Sequence, residues 1–346
     1  MQTTVSFPGL GIEEFSFSRV AFSIFGKDIY WYGVIIMLGV IAAVIHAYVR
    51  SKREGIKVDD LLDLTIFIVF FGVLGARLYY VVTTLGEGRY DSFIDVIAIW
   101  DGGLAIYGGI IAGAITIFAV SLIKKINVFR VLDMVGPGVM LAQAIGRWGN
   151  FANGEAFGYE VATTSPLYFL RMGVISDFTG SAMKYYHPTF LYESLWNILG
   201  FVIITLLYKK KKFNSQNALM YLCWYGFGRM FIEGLRTDSL YVGPFRISQV
   251  IGGLCFFVFG GLLVAGLILH SKGKLNHVFG GLLVAPPAPL TTEGEAVAEA
   301  TEKEVYENVF GGVSMDPENP TDDPDGEDAM DTESPENNEI QESEEN

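Results

Sequence analysis

Seven stretches of this chain are apolar for about 20 residues each, the length a helix needs to cross the hydrocarbon core of a bilayer. They cover 29–49, 61–83, 103–123, 131–148, 189–208, 218–235 and 247–270. A chain built this way has few folds open to it. The sequence predicts an all-α, polytopic membrane protein with seven transmembrane helices, in one domain over 1–275.

Basic residues orient these spans. Arg50, Lys52, Arg53 and Lys57 follow the first span, Lys124, Lys125 and Arg130 the third, four lysines at 209–212 the fifth, and Lys272 and Lys274 the seventh. Those loops are short. On the other side Arg19, Lys27, Arg89, Arg171, Lys184, Arg236 and Arg246 are spread over much longer stretches. The positive-inside rule then puts the N-terminus outside and the C-terminus in the cytoplasm. The first thirty residues lack a basic start followed by a short apolar core, so no cleavable signal peptide is expected and the first span itself directs insertion.

The net charge of −14 needs dividing before it is used. From Thr291 onward there are twenty acidic residues and one lysine, a charge of −19, which leaves +5 for 1–290. The segment 291–346 reads as a disordered acidic cytoplasmic tail, joined through an apolar, proline-rich linker over 276–290. VFGGLLVA occurs at 258–265 and again at 278–285. The second copy is too short to span; it is either a surface contact or a duplication without function. Residues 150–187 form the longest outer segment and read as a folded cap, while 85–101 reads as an interfacial stretch. Cys223 and Cys255 lie within apolar runs and suggest neither a disulfide nor a metal site.

Charges inside a membrane span are costly and usually mark a site. Arg77, Arg147, Arg229, Glu233 and Arg236 all fall in the outer halves of their spans, with Tyr32 and Tyr107 at the starts of theirs. The loops fixed that topology independently of these residues. An arginine-rich site there suits an anionic ligand taken from the outer leaflet, since the guanidinium fork gives two parallel hydrogen bonds to phosphate. Tyr225, Arg229, Glu233 and Arg236 repeat along one helical stripe. Glu233 is either functional or a neutralising partner of its arginines. In 146–155, Arg147, Asn150, Asn153 and Glu155 cluster at a helix-to-loop boundary, compatible with a ligand site or with a helix end carrying a snorkelling arginine. Glu193, in the first turn of the fifth span, fits the helix dipole. His187 is the one histidine on the outer side, and Asp133, nearer the cytoplasm, suits a structural hydrogen bond.

These blocks resemble the prolipoprotein diacylglyceryl transferases. The run GRWGNFANGEAFG over 146–158 is similar to that family's defining motif. HPTFLYES from His187, YGFGRMFIEGLRTD from Tyr225, WYG from Trp31, GARLYYV from Gly75 and WDGGLAIYGG from Trp100 resemble further blocks, in order, over roughly 18–270. The resemblance implies a seven-span enzyme of the bacterial cytoplasmic (inner) membrane with its active site toward the outer leaflet. Its substrates would be phosphatidylglycerol and prolipoprotein signal peptides bearing a lipobox cysteine. It would form a thioether and release glycerol 1-phosphate, with no cofactor, no metal and no nucleic-acid partner. Arg147 and Arg229 match the lipid-binding arginines; Tyr32, Asn150, Glu155, Gly158, Glu233 and Arg236 match other functional positions.

One position departs. The third-span motif of much-studied members of the family carries His where this chain has Tyr107, and the unperturbed phenol pKa is about 10. Three routes to the thiolate stay open: Tyr107 as phenolate, Glu155 as acceptor, or ionisation of the thiol beside the arginines. Two other classes compete with the enzyme. A lipid transporter would bring inverted repeats and polar groups reaching the midplane. A scaffold would tolerate lysine at Arg147.

Overall fold

The computed structural model describes residues 2–239, 241–278 and 282–283. The helices follow the apolar runs: α1 (Trp31–Glu54), α2 (Val58–Thr84), a short α3 (Phe93–Ile97), α4 (Ile106–Ile123), α5 (Val128–Asn153), α6 (Thr189–Leu207), α7 (Gln216–Ile232) and α8 (Ile247–Ser271). Six of them, α1, α2, α4, α5, α6 and α8, are long and apolar enough to cross a membrane. α7 has 17 residues and packs against α5, α6 and α8. It stops where Glu233–Leu235 tightens into a 3-10 turn.

The turns after α1, α4 and α6 share one end of the bundle, which carries the Lys and Arg clusters and is called here the basic end. A buried cluster that includes Ala47, Leu61, Leu64, Val120, Val131 and Met134 joins α1, α2, α4 and α5 there. Deeper still is a polar network. Asp133, fully buried, accepts from the backbone N–H groups of Ser215 at 2.6 Å and Ala218 at 3.0 Å, so it caps the start of α7. Lys211 Nζ lies 3.2 Å from Asp133 and 2.6 Å from Glu54, and Tyr208 donates to Glu54 at 2.6 Å. Asp133 has the structural role expected of it.

The opposite end departs from the all-α expectation. Four antiparallel strands in the order β2-β1-β5-β6 form a sheet: β1 (Gln2–Phe7), β2 (Ile12–Ser18), β5 (Met172–Ser176) and β6 (Gly180–Tyr186). A hairpin of β3 (Val20–Ile24) and β4 (Lys27–Tyr30) then leads directly into α1. The cap expected over 150–187 is folded, but it is β-structure completed by the chain's first residues. The physical cause is periodicity. Val5 with Phe7 and Met172 with Val174 alternate at the two-residue spacing of a strand. Those four side chains pack together with Tyr186 and Phe190. Phe190, the second residue of α6, packs at a tilt with its ring 4.8 Å from that of Phe151 near the end of α5, so the sheet clamps those two helix ends.

Two contacts fix helix neighbours. α2 and α4 cross through Gly75 and Gly108, where a Cβ on either residue would collide with the other's backbone. Trp196 of α6 and Trp224 of α7 stack at 4.4 Å, and each indole N–H donates to the other's carbonyl, at 3.1 and 2.9 Å. Gly228 and Gly200 leave room for those rings.

Arg77 is used by the fold rather than by the arginine cluster described below. It is buried and donates to the carbonyls of Asp95, Val96, Gly102 and Gly103, holding the 93–103 arm against α2. In the second VFGGLLVA copy, the Leu282 carbonyl accepts from Asn127 Nδ2 at 2.9 Å and Asn214 Nδ2 at 3.2 Å, which places this residue against the basic end. The rest of that linker, apart from 276–278 and 283, and the acidic tail lie outside the described residues.

Replacing Asp133 with Ala removes the cap on α7 and leaves Lys211 with Glu54 alone. The expected loss is about 3 kcal/mol of stability, read as a lower thermal midpoint of the purified protein in detergent.

Candidate active site

At the sheet end, three helices deliver charged groups to one point. Glu193, the fifth residue of α6 and so one position past the first turn where the sequence had put it, is 2% exposed. Its Oε1 accepts from Arg147 Nη2 of α5 at 2.5 Å, and its Oε2 accepts from Arg229 Nη1 of α7 at 3.0 Å. Arg236 Nη1 stands 3.8 Å from the same Oε2. One carboxylate therefore holds two guanidinium groups side by side and touches the field of a third. A buried carboxylate without such partners would be strongly destabilising; with them its desolvation is offset.

The neighbours extend this core in two directions. On the Arg147 side, Arg147 Nη1 donates to Asn150 Oδ1 at 3.4 Å, while Asn150 Nδ2 and Asn153 Nδ2 each donate to Glu155 Oε1 at 3.1 Å. Tyr32 lies against Gly149, within the electrostatic reach of Glu155 and Arg147. On the Arg229 side, Arg229 Nη2 pairs with Glu233 Oε2 at 2.6 Å, and Tyr107 and Tyr225 lie within the reach of its charge.

The expected stripe from Tyr225 to Arg236 meets as foreseen, but not as continuous helix. After α7 ends, the 3-10 turn returns Glu233 to Arg229, and Arg236 is extended. Arg236 binds Asp238 through Nε at 2.9 Å and Nη2 at 2.7 Å. Burial alone would raise the Asp238 carboxyl, but the hydrogen bonds and charge of Arg236 hold it below its ordinary range. Burial also lowers the His187 imidazole from its ordinary value, and its Nδ1 lies 3.3 Å from Tyr192 Oη.

Gly158 supports the site with its backbone. Its N–H donates to His187 O at 2.9 Å, and the N–H of Tyr159 donates to Leu235 O at 2.9 Å. The chain passes so closely that a Cβ on Gly158 would fall 2.7 Å from His187 Cβ and 2.8 Å from Leu235 O.

The structure thus brings Arg147, Arg229, Glu233, Arg236, Asn150, Glu155, Tyr32 and Tyr107 around one centre, with Gly158 beneath Arg236 through a backbone bridge. The residue that sequence reasoning passed over is Glu193. Sequence reasoning took it for a first-turn carboxylate explained by the helix dipole, and that explanation hid it, although α6 begins at Thr189 and has no acidic residue in its first turn. Charge balance carries the signal: three arginines within apolar spans need more than Glu233 to neutralise them.

The cluster can do one thing well. Each guanidinium has five N–H donors in a fixed fork. The hydrogen bonds and ion pairs of Arg147 and Arg229 among the described residues engage two nitrogens of each. The two groups are paired in advance and retain donors for a phosphate.

Comparison with known proteins decides the family. The family model described as "Prolipoprotein diacylglyceryl transferase" matches residues 19–265. The chain belongs to the prolipoprotein diacylglyceryl transferase family. Three relatives carry the name phosphatidylglycerol–prolipoprotein diacylglyceryl transferase. That of Streptococcus suis (strain 05ZYH33) is 44% identical over 234 residues, covering 67% of this chain and 85% of the relative. That of Clostridium novyi (strain NT) is 44% identical over 263 residues, covering 75% and 99%. That of Listeria monocytogenes serotype 4a (strain HCC23) is 40% identical over 261 residues, covering 74% and 91%. All nine site residues expected from the sequence fall inside the matched region. The acidic tail falls outside it.

Substituting Gly158 with Ala is expected to cost about 2 kcal/mol through overpacking and to lower diacylglyceryl transfer, because the added Cβ meets His187 Cβ and Leu235 O and pushes away the segment that carries Arg236. Thermal unfolding and initial rates on the purified variant check both effects.

Proposed function

We propose that this transferase binds phosphatidylglycerol at Arg147 and Arg229 and moves its diacylglyceryl group to the sulfur of a lipobox cysteine in a prolipoprotein signal peptide. This is the first step of lipoprotein maturation. The protein sits in the cytoplasmic (inner) membrane of a bacterium and crosses it seven times, the short α7 being the sixth span in chain order. The N-terminus is outside, the C-terminus is in the cytoplasm, and the site faces the outer leaflet. The loop charges support that orientation: the Lys and Arg clusters gather at the end opposite the sheet and the arginine centre.

The chemistry follows from the charge arrangement. The phosphodiester takes the remaining donors of Arg147 and Arg229. The thiolate attacks the terminal glyceryl carbon, a C–S bond forms and the C–O bond to phosphate breaks. The bonding pair goes to the departing phosphate oxygen, and the thiol proton leaves on the glycerol phosphate. Arginines fixed before the reaction stabilise the charge that develops on that oxygen, with no reorganisation at the moment of transfer. Their field also favours the thiolate. Tyr107, on the Arg229 side, meets the incoming thiol. Glu155 holds Asn150, which in turn touches Arg147. Tyr32, Gly158, Glu233 and Arg236 complete the wall around the headgroup. No cofactor is called for.

The single observation that carries this reading is the Glu193 bridge, which sets two arginines from α5 and α7 side by side at the sheet end. The test is direct. Purified protein, phosphatidylglycerol and a lipobox peptide should release glycerol phosphate and raise the peptide's mass, and a Cys-less peptide should do neither. Arg147→Ala should lower the rate about 100-fold or more, and Arg147→Lys should not restore it, because a single ammonium loses the fork. A folded protein that binds the lipid and releases nothing would replace this reading with lipid transport.

A further inference from the structure

Tyr107 Oη lies 3.2 Å from Ser248 Oγ, across 141 residues of sequence. Each residue is the second of its helix, Tyr107 in α4 and Ser248 in α8.

The two helices are anchored differently. The first turns of α8 are fastened to the arginine centre. Arg246 Nη1 donates to Glu233 O at 2.5 Å, and Gln249 Nε2 donates to Met230 O at 2.9 Å. Gly252 lies so near α7 that a Cβ there would sit 3.2 Å from Arg229 Cβ. Ser248 therefore rides on the same platform as Arg229. α4 instead packs along α2 through the Gly75–Gly108 crossing, and the apolar cluster that ties this helix pair to α1 and α5 lies at the basic end. At the sheet end, the hydrogen bond between α4 and α8 among the described residues is the Tyr107–Ser248 pair.

We infer that Ser248 is a positioning residue for Tyr107. Its hydroxyl fixes the phenol oxygen at a set distance from Arg229 and keeps it from moving with the α2–α4 pair. This inference rests on the assignment of Tyr107 to the thiol side of the site. A serine hydroxyl both donates and accepts, so the contact persists whether Tyr107 donates to it as a phenol or accepts from it as a phenolate. Placement matters because a reacting group displaced by about 1 Å loses on the order of 100-fold in rate. The pair also shows how this chain uses a tyrosine at that position: the longer side chain reaches the neighbouring helix and takes its orientation from it.

The experiment is a double-mutant cycle on transfer from phosphatidylglycerol vesicles to a lipobox peptide, with kcat and KM measured separately. Ser248→Ala should lower kcat about tenfold, leave the KM for phosphatidylglycerol and the melting temperature unchanged, and be rescued by Ser248→Thr, which keeps the hydroxyl. Adding Ser248→Ala to Tyr107→Phe should cost nothing further, since residues acting as one unit are not additive. If Tyr107→Phe is impaired while Ser248→Ala is not, or if the two effects multiply, the positioning role is overturned and the assignment of Tyr107 stands. If Tyr107→Phe transfers at the wild-type rate, the assignment of Tyr107 itself falls, and the role of Ser248 with it.

Discussion

The arrangement depends on one buried carboxylate. Glu193 accepts from Arg147 and Arg229 with its two oxygens, and so joins α5, α6 and α7 at the sheet end. Two guanidinium groups do not approach each other unaided, because their like charges repel in a medium where Coulomb forces are weakly screened. The carboxylate turns repulsion into a paired array, and the array is what a phosphodiester can recognise. In the proposed reading Glu193 is less a phosphate-binding group than the reason that the two arginines proposed to bind phosphate are where they are.

Three helices must hold their register for this to work. The reciprocal Trp196–Trp224 pair locks α6 to α7, and the adjacent glycines let the rings seat fully. The sheet clamps the ends of α5 and α6 through Phe151 and Phe190. At the basic end, Asp133 caps α7 and thereby sets the height at which Arg229 arrives. The arginines themselves are held by ion pairs to Glu193 and Glu233.

Much of this was legible in the sequence, and the exceptions have physical causes. The helices follow the apolar runs because a span is a local property of 20 or so residues. Arg147, Arg229 and Arg236 stood out because charge within an apolar span is rare. Arg77 stood out for the same reason yet serves the backbone carbonyls of a neighbouring arm, since rarity marks a role without saying which. The sheet was missed because β1 pairs with β5 from a distant part of the chain, and short alternating runs carry little signal next to long apolar ones. The stripe through Arg236 was read as helix, whereas a turn after α7 delivers the same residues. Tyr107 was marked as a departure from the family pattern, but its partner Ser248 carries no motif and could be found only by folding the chain.

The claim that Glu193 organises the arginine pair is tested most directly by Glu193→Asp. The substitution keeps the charge and shortens the side chain by one methylene, so the carboxylate can no longer reach both arginines. The measurement is kcat/KM for diacylglyceryl transfer by protein shown to be folded by its thermal transition. A fall on the order of 100-fold is predicted. Wild-type transfer by the folded Asp variant would contradict the account, because the arginines would then be organised by something other than the bridge.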